Sequence, residues 1–279
     1  MWRAGHDAGP TFALKSGMSV LRCFRPVRRV AFFVTVAFTL PAGASAQIAA
    51  DRIFIPGTVS FSANVGGVAF TDFRRTAARA ASPIAGDAAI ERRISAQPSL
   101  AFGAGAGVWI GHAWGVRLEG SYAPTRFDVE TAAESGAGDA EQVDGAGLDI
   151  WTAEAHLLFR LPFRIGRMLP YGVLGGGAAI YGPRGDAEKI PYEARASFAG
   201  GSQTRPAAVA GLGGVLPLER YGLLLRFELT NLITRTPVGS GAPGVFQAED
   251  GLQTVAESDR SGGTTNHVRF TLGLVRPLR

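Results

Sequence analysis

Charged side chains recur on one side of segments whose other side is wholly apolar, and this coupling restricts the possible folds more than any other feature of the chain. Within 223–230 the odd positions are Leu223, Leu225, Phe227 and Leu229, while the even ones include Arg226, Glu228 and Thr230. Successive side chains of a strand point to opposite faces, so such a segment has one greasy face and one charged face. The pattern repeats in 116–122, where Val116, Leu118 and Tyr122 oppose Arg117, Glu119 and Ser121. In 151–161, Trp151, Ala153, Ala155, Leu157, Phe159 and Leu161 oppose Thr152, Glu154, His156 and Arg160. In 267–274, Val268, Phe270, Leu272 and Leu274 oppose His267, Arg269 and Thr271. From Leu100 to Ile110 the even positions are apolar and the odd ones are mostly Gly103, Gly105 and Gly107. Charges turned into a protein need an interior that is wet or fully paired.

Three further runs, 57–70, 169–181 and 205–217, are rich in Gly, Ala and Val, and bring the expected strands to eight. Gly66-Gly67 and Gly175-Gly176-Gly177 are expected to mark bulges or tight curvature. The connections alternate in length. Long polar stretches occupy 71–98, 128–148, 182–204 and 233–264, and short links lie at His112-Ala113-Trp114, Phe163–Met168 and Leu218-Glu219-Arg220. Loops this long are foreign to compact soluble domains, whereas strict alternation suits an even-stranded barrel with both ends on one side of a membrane. No run of 18 apolar residues follows residue 46, so a spanning helix is not expected. The expectation is therefore an all-β fold: an eight-stranded antiparallel up-and-down transmembrane β-barrel, apolar outside and polar inside, with four mobile loops at one end. Trp109, Trp114, Tyr122, Trp151, Tyr171, Tyr181 and Tyr221 are expected as aromatic girdles near the strand ends. A soluble lipocalin-like barrel is the rival fold, with its apolar residues inside.

The N-terminus reads as a secretory signal. Basic residues from Arg22 to Arg29 precede an apolar core from Val30 to Leu40, and Ala44-Ser45-Ala46 precede Gln47. The expected organisation is a signal peptide at 1–46, cleaved near Ala46 and with Met18 as a candidate true start, followed by the barrel at 47–279. Cys23, the one cysteine, precedes the apolar core, so lipidation is not expected and the mature chain has no thiol chemistry. Six of the 28 cations and one of the 23 acids lie within 1–46, which leaves 22 of each. The basic balance of the precursor thus belongs to its leader, and no nucleic-acid partner is implied.

In Val116-Arg-Leu-Glu-Gly-Ser-Tyr122, Pro170-Tyr-Gly-Val-Leu-Gly-Gly-Gly177 and Leu225-Arg-Phe-Glu-Leu229 the chain resembles the small outer-membrane β-barrels that include the OmpA transmembrane domain, OmpW and related porin-family proteins. The resemblance covers 57–279. It implies the bacterial outer membrane as location, outer-membrane lipid, lipopolysaccharide and the barrel-assembly machinery as partners, and a structural or small-solute passage role. Such barrels usually end in an aromatic residue, whereas this chain ends Gly273-Leu-Val-Arg-Pro-Leu-Arg279.

The inward charges Arg117, Glu119, Glu154, His156, Arg160, Arg226, Glu228 and Arg269 form the candidate site, a luminal ion-pair network. Glu119 is expected near His156 or Arg160, and Glu228 near Arg269. Such a network either plugs a lumen only wide enough for side chains or sets the selectivity of a narrow pore. Adhesion through the loops is the competing role. An outer-membrane lipid-modifying enzyme is the least favoured role, and enzymatic chemistry is not expected. The nearest hydroxyl on the face of His156 and Glu154 is Thr152, His112 sits in a short turn, His267 lies beside a long loop, and the His-x-Ser of lipid A deacylases is absent. No cofactor or metal is expected. The acidic stretch from Asp128 to Asp149 lacks calcium-loop spacing, and Gly103-x-Gly105-x-Gly107 lies inside a strand rather than before a helix. The first loop is basic, with Arg74, Arg75, Arg79, Arg92 and Arg93.

Overall fold

The computed structural model describes residues 54–82, 86–133, 141–185, 189–218, 221–239, 245–247, 253–259 and 263–278. Residues 1–46, expected to be a signal peptide, lie outside these. The strands are β1 (Val59–Phe70), β2 (Arg74–Ser82), β3 (Gly86–Ala96), β4 (Ser99–Trp109), β5 (Trp114–Ala133), β6 (Glu141–Arg160), β7 (Leu169–Arg184), β8 (Gln203–Leu218), β9 (Leu223–Arg235), β10 (Val245–Gln247), β11 (Gln253–Asp259) and β12 (Thr264–Leu278), with one short helix, α1 (Tyr192–Phe198). Eight of them close a ring in the order β5-β4-β1-β12-β9-β8-β7-β6, sealed by β5 against β6, and every pairing is antiparallel. These eight coincide with the eight expected from the alternation.

The register fixes the size of the barrel. Stepping across the ladders from Ser60 through Gly107, Arg117, His156, Gly175, Val209, Leu232 and His267 returns to β1 at Phe70, ten residues on. With strands about 4.8 Å apart and rising about 3.3 Å per residue, this stagger gives a tilt of about 40° and a backbone radius of about 8 Å. A strand of eleven residues such as β4 then climbs about 27 Å along the axis, close to the apolar band of an outer-membrane barrel.

Inside and outside have the polarity the sequence requires of a membrane barrel. Leu118, Leu100, Leu212, Phe270 and Leu229 stand exposed on the outer wall, while Arg117, Glu154, Arg226, Glu228 and Arg269 are buried. A lipocalin-like barrel would show the reverse. The aromatic expectation holds for Trp114, Trp151 and Tyr221, which are exposed, but Trp109, Tyr171 and Tyr181 point inward and are buried. Their residue numbers share the inward parity of Gly107, Val173 and Ala179 on the same strands, so parity rather than nearness to a strand end decides their side. Two aromatic pairs mark the outer wall of one ladder: Trp114 with Phe159, ring centres 5.9 Å apart, and Tyr122 with Trp151, 4.4 Å apart. They are eight residues apart along β5, about 20 Å along the axis at this tilt.

The long connections differ from the structureless loops expected of them. β2 and β3 form a hairpin, and β3 pairs with the upper part of β5. The order β10-β11-β2-β3-β5 thereby repeats, above the ring, the order β9-β12-β1-β4-β5 within it. The wall of the barrel thus continues beyond the apolar belt, and 128–148 is largely strand rather than loop. Phe73, Ile94, Phe127 and Val129 turn inward there and are buried together with Phe198 and Ala194 of α1. The glycine runs behave differently from expectation too. Registers pass through Gly66-Gly67 and Gly175 to Gly177 without a shift, and the irregularity of the ring falls at Arg126 to Asp128. Gly66, Gly175 and Gly177 admit close neighbours instead: a Cβ on Gly175 would lie 2.8 Å from Cδ2 of His156, whereas Gly67 faces open space.

Candidate functional site

At mid-height the inward faces of β5, β6, β9 and β12 carry three arginines and three glutamates. Arg117 and Glu119 on β5 lie opposite Arg226 and Glu228 on β9, four strands away in a ring of eight, and Glu154 on β6 lies opposite Arg269 on β12. Across a lumen about 16 Å wide between backbones, an arginine and a glutamate meet tip to tip. Arg117 donates from Nη1 to Oε1 of Glu228 at 2.5 Å and from Nη2 to Oε2 at 3.0 Å. Arg269 donates to both oxygens of Glu154, at 2.5 and 2.7 Å. Arg226 reaches back to Oε2 of Glu119 at 3.3 Å and to Oγ of Ser62 at 3.2 Å.

Lateral bonds tie these crossbars together. Arg117 Nε lies 3.0 Å from Oε2 of Glu119, and Asn64 donates to Oε1 of the same carboxylate at 2.9 Å. Tyr171 donates to Glu228 at 2.5 Å. His156 Nδ1 faces Arg117 Nη2 at 2.9 Å; a guanidinium only donates, so Nδ1 accepts and Nε2 carries the proton that reaches Oε2 of Glu154 at 2.9 Å. Thr152 completes Glu154 from 2.5 Å and receives Ser121 at 2.8 Å. Higher up, the Tyr181 hydroxyl sits 2.8 Å from Thr234 Oγ1 and 2.9 Å from His267 Nε2.

Seven of the eight candidates meet in this layer, in pairings other than those expected. Glu119 faces Arg117 and Arg226 rather than His156 or Arg160, and Arg269 takes Glu154 rather than Glu228. Reading hairpins alone brings only neighbouring strands together, whereas the stagger of the closed ring brings opposite strands to one level. Arg160 stands apart, at the short-turn end, with its guanidinium 5.0 Å from the centre of the Phe54 ring. Asn64 and Ser62 belong to the network without a sequence expectation, Thr152 is expected to face inward but with no partner named, and Tyr171 is expected in a girdle; inward parity on their strands was the available signal.

Apolar layers close the lumen on both sides of the charges. Towards the short turns Phe54, Trp109, Leu158, Leu169, Val173, Val215 and Leu224 are buried, with Phe54 edge-on to Trp109 at 4.4 Å. Towards the long connections the layer comprises Phe73, Phe127, Leu148, Ile150, Leu232 and Val238. Between the lower layer and Arg117 and Arg226 lies a cavity of about 40 Å³, also lined by Ser60, Ser62 and Tyr171, room for roughly three waters.

No family model and no curated protein matches the chain. Among solved structures it is similar to the outer membrane protein OprG from Pseudomonas aeruginosa, at 12% identity and a TM-score of 0.40, over 79% of this chain and 98% of that one. It is also similar to Ail, the attachment invasion locus protein of Yersinia pestis, at 14% identity and a TM-score of 0.31, over 80% of this chain and all of Ail. A second Ail structure, in complex with the heparin analogue sucrose octasulfate, matches at 13% identity and a TM-score of 0.32, over 80% of this chain and all of that one.

Proposed function

We propose that the chain is an integral barrel of a bacterial outer membrane whose lumen is a closed brace, and whose work is done at the long-loop end as a structural and interaction surface. The observation that carries this reading is the layer of cross-lumen pairs. Three crossbars between opposite strands, capped by apolar layers above and below, leave side chains where a pore would need water. The exposed apolar outer wall supports insertion in lipid, since burying Leu, Phe and Val against hydrocarbon is favourable and exposing such a belt to water is not. In this reading residues 1–46 direct export and are removed near Ala46, and the barrel-assembly machinery inserts the rest. His156 is held at both ring nitrogens, which supports bracing rather than catalysis.

Small-solute passage is the second reading, favoured by the small cavity beneath Arg117 and Arg226, which would be the vestibule of a charged gate. Planar-bilayer recording of the protein purified from outer membranes separates the two. A silent wild type, together with silent Glu228→Gln, is the outcome expected of a brace. Discrete conductance steps in the wild type that change in Glu228→Gln would replace this reading with a gated pore. Adhesion is tested separately, by removing 74–96 and 245–259 and comparing surface binding of cells that carry equal amounts of folded barrel.

A further inference from the structure

On the outer wall of β5, β6 and β7, two outward rows above the Tyr122 and Trp151 rings, the register aligns Arg126, Gly147 and Arg184 across three strands, with Pro124, Asp149 and Gly182 in the row between. We infer that this patch binds the phosphorylated sugar headgroup of an outer-leaflet lipid, the chemistry of lipid A. The inference rests on the outer-membrane reading and names the partner of its upper rim.

Each part of such a headgroup has a counterpart. Arg126 and Arg184 are both exposed and stand on β5 and β7, with β6 between them, so their backbones are about 10 Å apart. Gly147 offers no side chain in the middle, and a Cβ there would meet Arg184 Nε at 3.0 Å, so the Arg184 side chain folds over this bare position. A phosphate over Gly147 lies within reach of both guanidinium groups, which suit phosphate oxygens in charge and in planar geometry. Trp151 is 53% exposed and forms with Tyr122 a continuous aromatic surface, the kind of platform against which the apolar face of a sugar rests. Asp149 accepts from the Tyr122 hydroxyl at 3.0 Å and pairs with Arg184 at 3.3 Å, both through Oδ1. A carboxylate has lone pairs on both oxygens, and this one can also accept from a sugar hydroxyl or amide. Below the platform the outward residues are Gly120, Ala153 and Ala178, then Leu118, Ala155 and Gly176, so that a shallow strip on β6 and β7, walled on the β5 side by the exposed Leu118, offers an acyl chain a place to lie. Above the arginines the outward face turns acidic at Asp128 and Glu130, which bounds the site.

The height agrees with the chemistry. The Tyr122 and Trp151 pair is the upper of the two aromatic pairs on its ladder, so the arginines fall where hydrocarbon gives way to headgroups. Phosphate and sugar thus meet charge and ring, and the acyl chains continue into the apolar belt.

Native mass spectrometry of the detergent-purified full-length product tests this, with bisphosphorylated lipid A as probe and phosphate-free lipid A, phosphatidylglycerol and inorganic phosphate as comparisons. Wild type is expected to retain bisphosphorylated lipid A in preference to the phosphate-free form. Arg126→Gln with Arg184→Gln should lower that affinity by about tenfold or more, the scale of losing a charge-assisted contact, and Trp151→Leu by several fold. Heat-modifiable gel mobility shows whether each variant keeps its barrel, and Arg126→Lys with Arg184→Lys, which preserves charge, should recover part of the binding. Equal binding by the double glutamine variant, equal retention of phosphate-free lipid A, no preference over phosphatidylglycerol, or full competition by inorganic phosphate overturns the inference. Density-gradient fractionation keeps the two levels apart: a wild type absent from the outer membrane defeats the underlying reading, whereas a wild type present there with unchanged variants defeats only this site.

Discussion

At the scale of single residues, the lumen shows why buried charge is tolerated when balanced. Glu154 receives Arg269, His156 and Thr152 together, so neither oxygen is left without a donor. Arg269→Met removes one partner and strands a carboxylate; it is expected to cost about 3–5 kcal/mol, whereas Arg269→Met with Glu154→Leu should recover most of that loss, because an apolar pair of similar volume avoids the desolvation of both ions. Urea unfolding of the barrel in lipid vesicles, followed by tryptophan fluorescence, measures both, and a double variant as weak as the single one would contradict the account. Gly213 is a second sensitive point. A Cβ there would stand 2.6 Å from Cζ of Tyr171 and 2.8 Å from Cγ of Glu228, so Gly213→Ala is expected to lose about 1–3 kcal/mol through overpacking in the same assay. The identities of the charged residues were legible because a charge opposite Leu or Phe on one strand stands out. Their pairings were not, since Arg117 finds Glu228 only once the ring has closed with its ten-residue stagger.

At the scale of elements, legibility followed contact with the belt. β9 announces itself because Leu223 to Leu229 face outward and Arg226 to Thr230 inward. β2 and β3 carry no such signal: they stand above the belt, where neither face must be apolar, and Arg74-Arg-Thr-Ala-Ala-Arg79 reads as a polar loop although it is strand. The β3 to β5 ladder holds this extension together with Phe73, 6.4 Å from Phe127 and 6.0 Å from Tyr181, and Phe127 against Phe198 at 5.8 Å, while the ladders that close the ring run between ring strands alone. Replacing 74–96 by a short linker should therefore leave a heat-modifiable barrel that still inserts in membranes, as gel mobility would show; loss of the folded band would mean that the hairpin templates closure of β1 on β4. The segment before β1 works at the other end. Phe54 is fully buried between Trp109 and Arg160, and Phe54→Ala is expected to cost about 3–5 kcal/mol and to move Trp109 emission to longer wavelength as water enters the lower cavity.

For the whole molecule, the arrangement is a barrel turned inside out relative to a water-soluble one, and its three described tryptophans report on that directly. Trp114 and Trp151 stand on the outer wall, 51% and 53% exposed, near the two ends of the belt, whereas Trp109 is buried inside at the short-turn end beside Phe54. Single-tryptophan forms reconstituted in vesicles of brominated lipid should separate them. Trp114 and Trp151 are expected to be quenched strongly by bromines placed near the headgroups and less by bromines near the bilayer centre, because about 20 Å along the axis puts them at opposite interfaces. Trp109, at a similar height to Trp114 but across the wall, should keep most of its emission with either lipid. This contrast distinguishes inside from outside at one depth, which no measure of overall insertion does. Quenching of Trp109 equal to that of Trp114 would reverse the polarity of the wall, and with it the reason the six paired charges lie in the lumen.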